Sequence, residues 1–323
     1  MKDIEQAVIE SRKITENVKK VILGKNEPVE LAVIALMSQG HVLIEDVPGV
    51  GKTMLAKSLA RSSGCEFKRI QFTPDLLPSD VTGISIYNQK SDKFEFKPGP
   101  IVSQFVLADE INRATPKTQS AMLEAMEERQ ITVEGATHIL PRPFTVMATQ
   151  NPIEYEGTFP LPEAQLDRFM LIITMGYPSP AEELDIVNDQ QESHPIESLK
   201  EVTTPNAIIE IQNQVKQIYV DDLIRHYIVT ITQATRSHSD ISLGSSPRGS
   251  IALFRCSQAM AMMRGRDFVL PDDVKELASP VLSHRIILEA KARMRGGQSK
   301  DVVEEIIDST PIPGAQAKGW MKP

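Results

Sequence analysis

A glycine-rich segment, Pro48-Gly-Val-Gly-Lys-Thr53, has the residue types that bind a chain of phosphate groups. Glycines let backbone N–H groups turn toward phosphate oxygens, and the N-terminus of a following helix adds a positive dipole end. The lysine can reach the β- and γ-phosphates of a nucleotide, and the threonine hydroxyl can bind Mg²⁺. The usual pattern has another glycine where this chain has Asp46. We predict a phosphate-binding loop, with a chance glycine-rich turn as the alternative. The expected nucleotide-binding residues are Pro48, Gly49, Val50, Gly51, Lys52, Thr53 and Met54.

Two adjacent carboxylates, Asp109 and Glu110, follow the apolar run Phe105-Val-Leu-Ala. If that run is a strand beside the one preceding the loop, Asp109 would hold Mg²⁺ directly or through water. Glu110 would then orient and deprotonate a water that attacks the γ-phosphate. The alternative is a solvated acidic pair at a strand end that has no role in catalysis. The presence of the phosphate loop disfavours this alternative.

Further polar residues lie where they could sense or stabilise the γ-phosphate. Asn151 follows another apolar run and is our first choice for contacting the γ-phosphate or the attacking water, with Thr149 as the second. Arg113, Arg168 and Arg248 could each offset charge that develops on the phosphate in the transition state. For any one arginine, a surface ion pair is a strong alternative.

The elements that must position these residues follow from short apolar runs that alternate with helical patterns. This alternation predicts a parallel five-stranded sheet with helices on both faces. Residues 84–96 and 130–140 alternate around polar turns and are interpreted as hairpin insertions. The five expected strands are residues 41–45, 67–72, 105–108, 144–148 and 169–174.

After Met175 the strand patterns stop and helix-start signals follow. Ser179-Pro180, Thr204-Pro205 and Ser246-Pro247 each combine an N-cap hydroxyl with proline in the first turn. Asp221-Asp222 and Pro271-Asp-Asp273 are expected to begin two more helices. We therefore predict an α/β nucleotide-binding core over residues 1–178, a smaller all-α lid over 179–310 and a flexible tail over 311–323.

Composition limits the classes of protein to consider. The chain has 323 residues and a net charge of −8, so it is long enough for two domains and does not favour general nucleic-acid binding. Two cysteines, no secretory leader and no apolar run longer than Leu31 to Met37 predict a cytoplasmic protein without membrane insertion. The six histidines show no ligand spacing, so no transition-metal site is expected.

Several segments together resemble the MoxR-type AAA+ ATPases, whose relatives include magnesium-chelatase ATPase subunits and MCM helicases. The resemblance extends over about residues 5–312. The segments that carry it are Glu45–Thr53, Asp109–Ala114, Met147–Pro152, Leu161–Phe169, Ser246–Arg248 and Val281–Arg285.

The resemblance implies a P-loop AAA+ core with a helical lid, ATP and Mg²⁺ as cofactors, and self-association into a hexameric ring. Arg168 would match the arginine finger that acts on a neighbour's nucleotide, Arg248 would match sensor 2 in cis or in trans, and Arg113 would be a further interface residue. The implied activity is chaperone-like remodelling or maturation of a partner protein, in some cases metal insertion. Partners in such systems often carry von Willebrand factor A domains.

Two other functions remain open from the sequence. One is a nucleic-acid motor, for which residues 130–140 and their flanks offer only Arg129, His138 and Arg142 as basic contacts. The other is an ATP-gated scaffold with little turnover, which the presence of both Glu110 and Arg168 disfavours.

Overall fold

The computed structural model describes residues 2–152, 157–189 and 194–312. Within these residues the chain forms two compact units, one from Ile9 to Gln212 and one that combines the residues before Ile9 with those from Asn213 on. The predicted domain boundary after residue 178 stays a prediction, and most of the predicted flexible tail lies outside the described residues.

The described residues form strands of two to six residues. They are β1 (Val42–Glu45), β2 (Phe67–Gln71), β3 (Gly83–Asn88), β4 (Lys93–Pro98), β5 (Phe105–Asp109), β6 (Gln130–Val133), β7 (Ala136–Ile139), β8 (Thr145–Gln150), β9 (Leu171–Ile173), β10 (Ile241–Leu243) and β11 (Ile287–Leu288).

The helices of the described residues connect and cover these strands. They are α1 (Lys2–Lys19), α2 (Asn26–Met37), α3 (Lys52–Ser62), α4 (Pro78–Thr82), α5 (Pro116–Glu128), α6 (Glu163–Leu166), α7 (Pro180–Asp189), α8 (Pro195–Ser198), α9 (Pro205–Val215), α10 (Asp222–Ser237), α11 (Pro247–Met263), α12 (Pro271–Leu282), α13 (Ala290–Met294) and α14 (Ser299–Ser309). No helix in these stretches of chain is both long enough and apolar enough to cross a membrane.

The larger unit is built around a five-stranded sheet in the order β2-β5-β8-β1-β9. All four neighbouring pairs are parallel, as predicted for apolar strands that alternate with helices. The strands β5 and β8 are buried along almost their whole length, because they lie inside the sheet and are covered on both faces. Each strand lies within two residues of its predicted range.

The two predicted hairpins are also present. The strands β3 and β4 pair antiparallel, as do β6 and β7, and neither pair joins the central sheet. The rings of Phe96 and His138 stack with their centres 3.8 Å apart, which joins one hairpin to the other.

A buried histidine connects the first strand to its surroundings. His41 precedes β1, and its Nδ1 accepts a hydrogen bond from Val146 N while Nε2 donates to Met126 O, each at 3.0 Å. The pKa of His41 is lowered from 6.5 to about 4, mainly by burial; the hydrogen bond to Met126 opposes this shift, and the charge of Arg129 adds to it. The imidazole is therefore a neutral linker between β8 and α5.

The smaller unit is mainly helical, and its helices α10, α11 and α12 begin where the sequence predicted. Pro247 is the first residue of α11, and the Ser246 hydroxyl accepts a hydrogen bond from Arg248 N at 3.1 Å. Asp221 caps α10 in the same way through Leu223 N at 2.9 Å. The prediction of an all-α lid was incomplete, because β10 and β11 form a short antiparallel pair. Strands of two or three residues are too short to show an alternating pattern.

Candidate active site

The predicted phosphate loop lies between the end of β1 and the start of α3, in a strand–loop–helix arrangement. Gly49 and Gly51 have φ values of +87° and +93°, a conformation that residues with a Cβ rarely adopt. A Cβ built at either position would meet nothing within 4 Å, so the space above the loop is open. These glycines are therefore required by backbone conformation, and the open space suits a phosphate chain at the N-terminus of α3.

Asp46, where the usual pattern has glycine, holds the base of this loop. Its Oδ2 accepts hydrogen bonds from Met175 N at 2.7 Å and Gly176 N at 2.6 Å, just after β9. Its Oδ1 accepts from Val47 N at 2.8 Å, and its backbone carbonyl accepts from Lys52 Nζ at 2.5 Å. The carboxylate thus joins the loop to a segment far along the chain.

Asp109 is the last residue of β5 and is only 8% exposed. Its Oδ1 accepts a hydrogen bond from the Thr149 hydroxyl at 2.6 Å. Its Oδ2 accepts from Arg69, at 2.9 Å from Nε and 2.6 Å from Nη2. Both carboxylate oxygens are therefore oriented by neighbours on β2 and β8, the strands that flank β5.

Glu110 is more accessible and has a different set of partners. Its backbone is in the left-handed region, with φ at +58°, and its N–H donates to Thr149 Oγ1 at 2.9 Å. Its Oε2 accepts from Gln71 Nε2 at 2.8 Å and from Arg113 Nη1 at 3.1 Å. The predicted general base is therefore held beside Asp109 by one amide and one guanidinium.

The strand register places the two sensor candidates differently. Thr149 contacts both acidic residues, as described above. Asn151 is buried and follows β8, and Gln150, the residue before it, pairs with Glu45 at the end of β1. Asp46 N donates to Gln150 O at 3.3 Å, so Asn151 directly follows the residue that meets the start of the phosphate loop. The choice of Asn151 as the γ-phosphate sensor stays a prediction.

A cavity of about 190 Å³ lies against the phosphate loop within the larger unit. Its walls come from separate parts of the chain and are mostly apolar, which suits a flat heteroaromatic base. The lining residues are Val21, Ile22, Leu23, Lys25, Gly49, Val50, Gly51, Met54, Met175, Pro178, Ile186, Asp189, His194 and Pro195.

Of the three arginines predicted to act in the transition state, Arg113 contacts Glu110, Arg168 precedes the amino end of β9, and Arg248 belongs to the smaller unit. Arg168 follows α6 and forms an ion pair with Glu127 of α5, with Nε and Oε2 3.1 Å apart. Arg248 lies in the first turn of α11 in the smaller unit and is exposed. The roles of Arg168 and Arg248 in the transition state stay predictions.

Comparison with known proteins identifies the family of this chain. Residues 41–171 match the family described as the ATPase family associated with various cellular activities (AAA), and residues 233–306 match the AAA lid domain. The chain is 41% identical to Chaperone MoxR1 of Mycobacterium tuberculosis over 93% of this chain and 81% of that protein. The chain belongs to the MoxR family of AAA+ ATPases.

Other relatives extend over nearly the same length. YeaC of Bacillus subtilis is 55% identical over 93% of this chain and 94% of its own. A crystal structure of a protein from Cytophaga hutchinsonii, 39% identical, superposes with a TM-score of 0.87 over 95% of this chain and 97% of that one. As a MoxR-type ATPase, the chain binds and hydrolyses ATP, and the AAA+ core with a helical lid is confirmed.

Sequence reasoning missed three parts of this MoxR-type site. Arg69 and Gln71 alternate on β2 and face the acidic pair, and their spacing of two residues on a strand was the available signal. The cavity wall around Ile22 had no signal, because no motif marks the turn between α1 and α2. The contacts of Asp46 were also missed, since they join residues about 130 positions apart.

Proposed function

We propose that this ATPase works with Mg²⁺ at the interfaces of a ring-shaped homo-oligomer and uses hydrolysis to remodel or mature a partner protein. The loop Gly49–Gly51 and Lys52 would bind the phosphates, and the adjoining cavity would take the base. Thr53 and Asp109 provide the oxygen ligands that Mg²⁺ prefers. Bound Mg²⁺ would neutralise charge on the phosphates.

The acidic pair then has two separate tasks. Asp109, buried at the end of β5 and oriented by Thr149, would hold the metal in one place. Glu110, which is partly exposed and borders the same strand end, would accept the proton of the attacking water. Asn151 would orient that water or contact the γ-phosphate.

The position of Arg168 is the observation that carries the proposal of an interfacial site. All five strands are parallel, so the phosphate loop follows the carboxyl end of β1 while Arg168 precedes the amino end of β9. The length of β1, four residues or about 13 Å at roughly 3.3 Å per residue, separates the two ends of the sheet. Arg168 therefore lies at the end of the sheet opposite the loop of its own chain, where the loop of a neighbouring chain could approach it.

The proposed client activity rests on the relatives. One of them is named a chaperone, and we extend that activity to this chain, with a hexamer as the expected ring. A partner carrying a von Willebrand factor A domain is the expected client or adaptor, and the maturation can include metal insertion.

Mixing two inactive variants tests the interfacial site. Arg168→Ala chains retain the loop, and Lys52→Ala chains retain the arginine. Each alone should show little ATPase activity, whereas the mixture should recover part of it because some interfaces combine an intact loop with an intact arginine. Lys57→Ala, an exposed lysine on α3, replaces Lys52→Ala in the control mixture and measures the activity expected when the loop is intact. No recovery in mixed rings of confirmed size would reject action between chains.

A further inference from the structure

Arg69 has an unusual place beside the proposed metal ligand. It lies on β2, the edge strand of the sheet, and its side chain is 47% exposed. Two of its nitrogens donate to a single oxygen of Asp109, at 2.9 and 2.6 Å. A carboxylate as buried as Asp109 requires a compensating charge, and in this arrangement Arg69 supplies it.

The same guanidinium reaches the second acidic residue through Gln71. Arg69 Nη2 donates to Gln71 Oε1 at 2.6 Å, so the amide nitrogen of Gln71 faces the other way. That nitrogen donates to Glu110 Oε2 at 2.8 Å. One side chain therefore orients both acidic residues, one directly and one through an amide.

A magnesium ion and a guanidinium compete for the same carboxylate. Mg²⁺ that arrives with a nucleotide needs the oxygens of Asp109, directly or through water. Two positive charges at one carboxylate oxygen repel each other. The Arg69 side chain is about half exposed and lies on an edge strand, so it has room to move toward solvent.

We propose that Arg69 is a positioning residue that neutralises Asp109 while the metal is absent and is displaced from it when magnesium–nucleotide binds. This inference rests on the proposed magnesium-dependent site. Arg69 therefore weakens the apparent affinity of the site for Mg²⁺. Before the metal binds, it also holds Gln71 and Glu110 in their metal-free positions. A residue that only supported the fold would strengthen the site, and its loss would weaken metal binding.

The test is a magnesium titration of nucleotide binding. A fluorescent ATP analogue is bound to the full chain in EDTA and at rising Mg²⁺ concentration. Arg69→Gln should lower the Mg²⁺ concentration at half-maximal binding about three- to fivefold, the size expected of a half-exposed ion pair. Binding in EDTA should stay unchanged. The melting temperature without nucleotide should fall, because Asp109 loses its partner.

Lys68→Gln is the matched control. Lys68 precedes Arg69 on the same strand, is 50% exposed and pairs with Glu66 at 3.3 Å rather than with the acidic pair. The Lys68→Gln variant should therefore give the same magnesium titration as the wild type. In an Asp109→Asn background, Arg69→Gln should no longer shift the titration, because the shared oxygen has lost its charge. Arg69→Lys keeps the charge but carries it on a single nitrogen. Its Mg²⁺ concentration at half-maximal binding should lie between those of wild type and Arg69→Gln. This variant replaces Arg69→Gln in the test if the glutamine variant does not fold.

The outcomes separate the two proposals. A wild-type chain that binds the nucleotide equally well with and without Mg²⁺ would overturn the magnesium site and this inference together. A wild type that needs Mg²⁺, with an Arg69→Gln titration that is unchanged or shifted to higher concentration, would overturn the inference alone.

Discussion

At the residue scale, the adjacent carboxylates of Asp109 and Glu110 have different surroundings, which suit them to different roles. Asp109 is buried between Arg69 and Thr149, so its position is fixed. Glu110 has a left-handed backbone that turns its side chain out of the strand, where Gln71 and Arg113 hold it within reach of solvent. A metal ligand benefits from the first environment, and a group that accepts a proton from water benefits from the second.

Replacing Glu110 by glutamine separates binding from chemistry. Glu110→Gln keeps the shape and the contact with Arg113 but cannot accept a proton, so turnover should fall by about 10²- to 10⁴-fold. The affinity for ATP, measured by calorimetry, should change little. Glu124→Gln, on the exposed face of α5, is the control and should hydrolyse ATP at the normal rate. Near-normal turnover by Glu110→Gln would exclude Glu110 as the base.

The buried His41 predicts a pH dependence of stability. The unfolded chain takes up a proton at this residue near pH 6.5, and the folded chain only near its lowered pKa of about 4. Between these values the unfolded state binds more protons, so the free energy of unfolding should fall as the pH drops, by up to about 3 kcal/mol.

The measurement is urea unfolding across this pH range. His41→Gln should be less stable than wild type at neutral pH but should show a flatter pH dependence. His226→Gln, at an exposed position of α10, should keep the wild-type slope. An equal slope in His41→Gln would assign the pH dependence to other groups.

At the scale of elements, the phosphate loop is held at two ends. Helix α3 holds one end through its first turn. Asp46 holds the other by accepting the backbone N–H groups of Met175 and Gly176. Gly51 and Met175 line the same cavity, so the link that Asp46 makes also sets the distance between the proposed phosphate and base sites.

Removal of this link should therefore harm both stability and binding. Asp46→Ala leaves the backbone N–H groups of Val47, Met175 and Gly176 without their acceptor, which should cost about 2–4 kcal/mol of unfolding free energy. ATP affinity should fall as well. Asp46→Gly introduces the residue that is usual in such loops and should lower stability and ATP affinity as much as Asp46→Ala does. Asp46→Asn keeps one acceptor oxygen, so its stability and affinity should lie between those of wild type and Asp46→Ala. Full stability and affinity in Asp46→Gly would contradict the anchoring role.

At the scale of the whole molecule, the residues proposed for catalysis are divided between the two ends of one parallel sheet. The loop and the acidic pair lie at the carboxyl ends of the strands, and Arg168 lies before the amino end of β9. A parallel sheet cannot bring these ends together within one chain, so a second chain must supply the missing arginine if it takes part.

ATPase activity per chain should consequently rise with protein concentration. Glu110→Gln provides the baseline, and size measurements at each concentration show when assemblies form. Arg168→Ala should form the same assemblies and remain slow, because the guanidinium is then absent from every interface. A constant rate at concentrations where only single chains are present would show that each chain carries a complete site.

Features that depend on residues close together along the chain were predictable from the sequence. The loop between β1 and α3 was predictable because its glycines, lysine and threonine act within one turn of backbone. The starts of α7, α9 and α11 were predictable because proline is favoured in the first turn of a helix. The apolar runs of the central strands reflected burial on both faces.

Contacts between residues far apart in the sequence became known only from the fold. Sheet order placed β2 beside β5 and so brought Arg69 and Gln71 to the acidic pair. The chain's return after β9 gave Asp46 its partners, and three separate segments closed the cavity beside the loop. The local conformation of a segment follows from the residue types and their spacing along the chain. The long-range contacts depend instead on strand order and packing, to which residues throughout the larger unit contribute together.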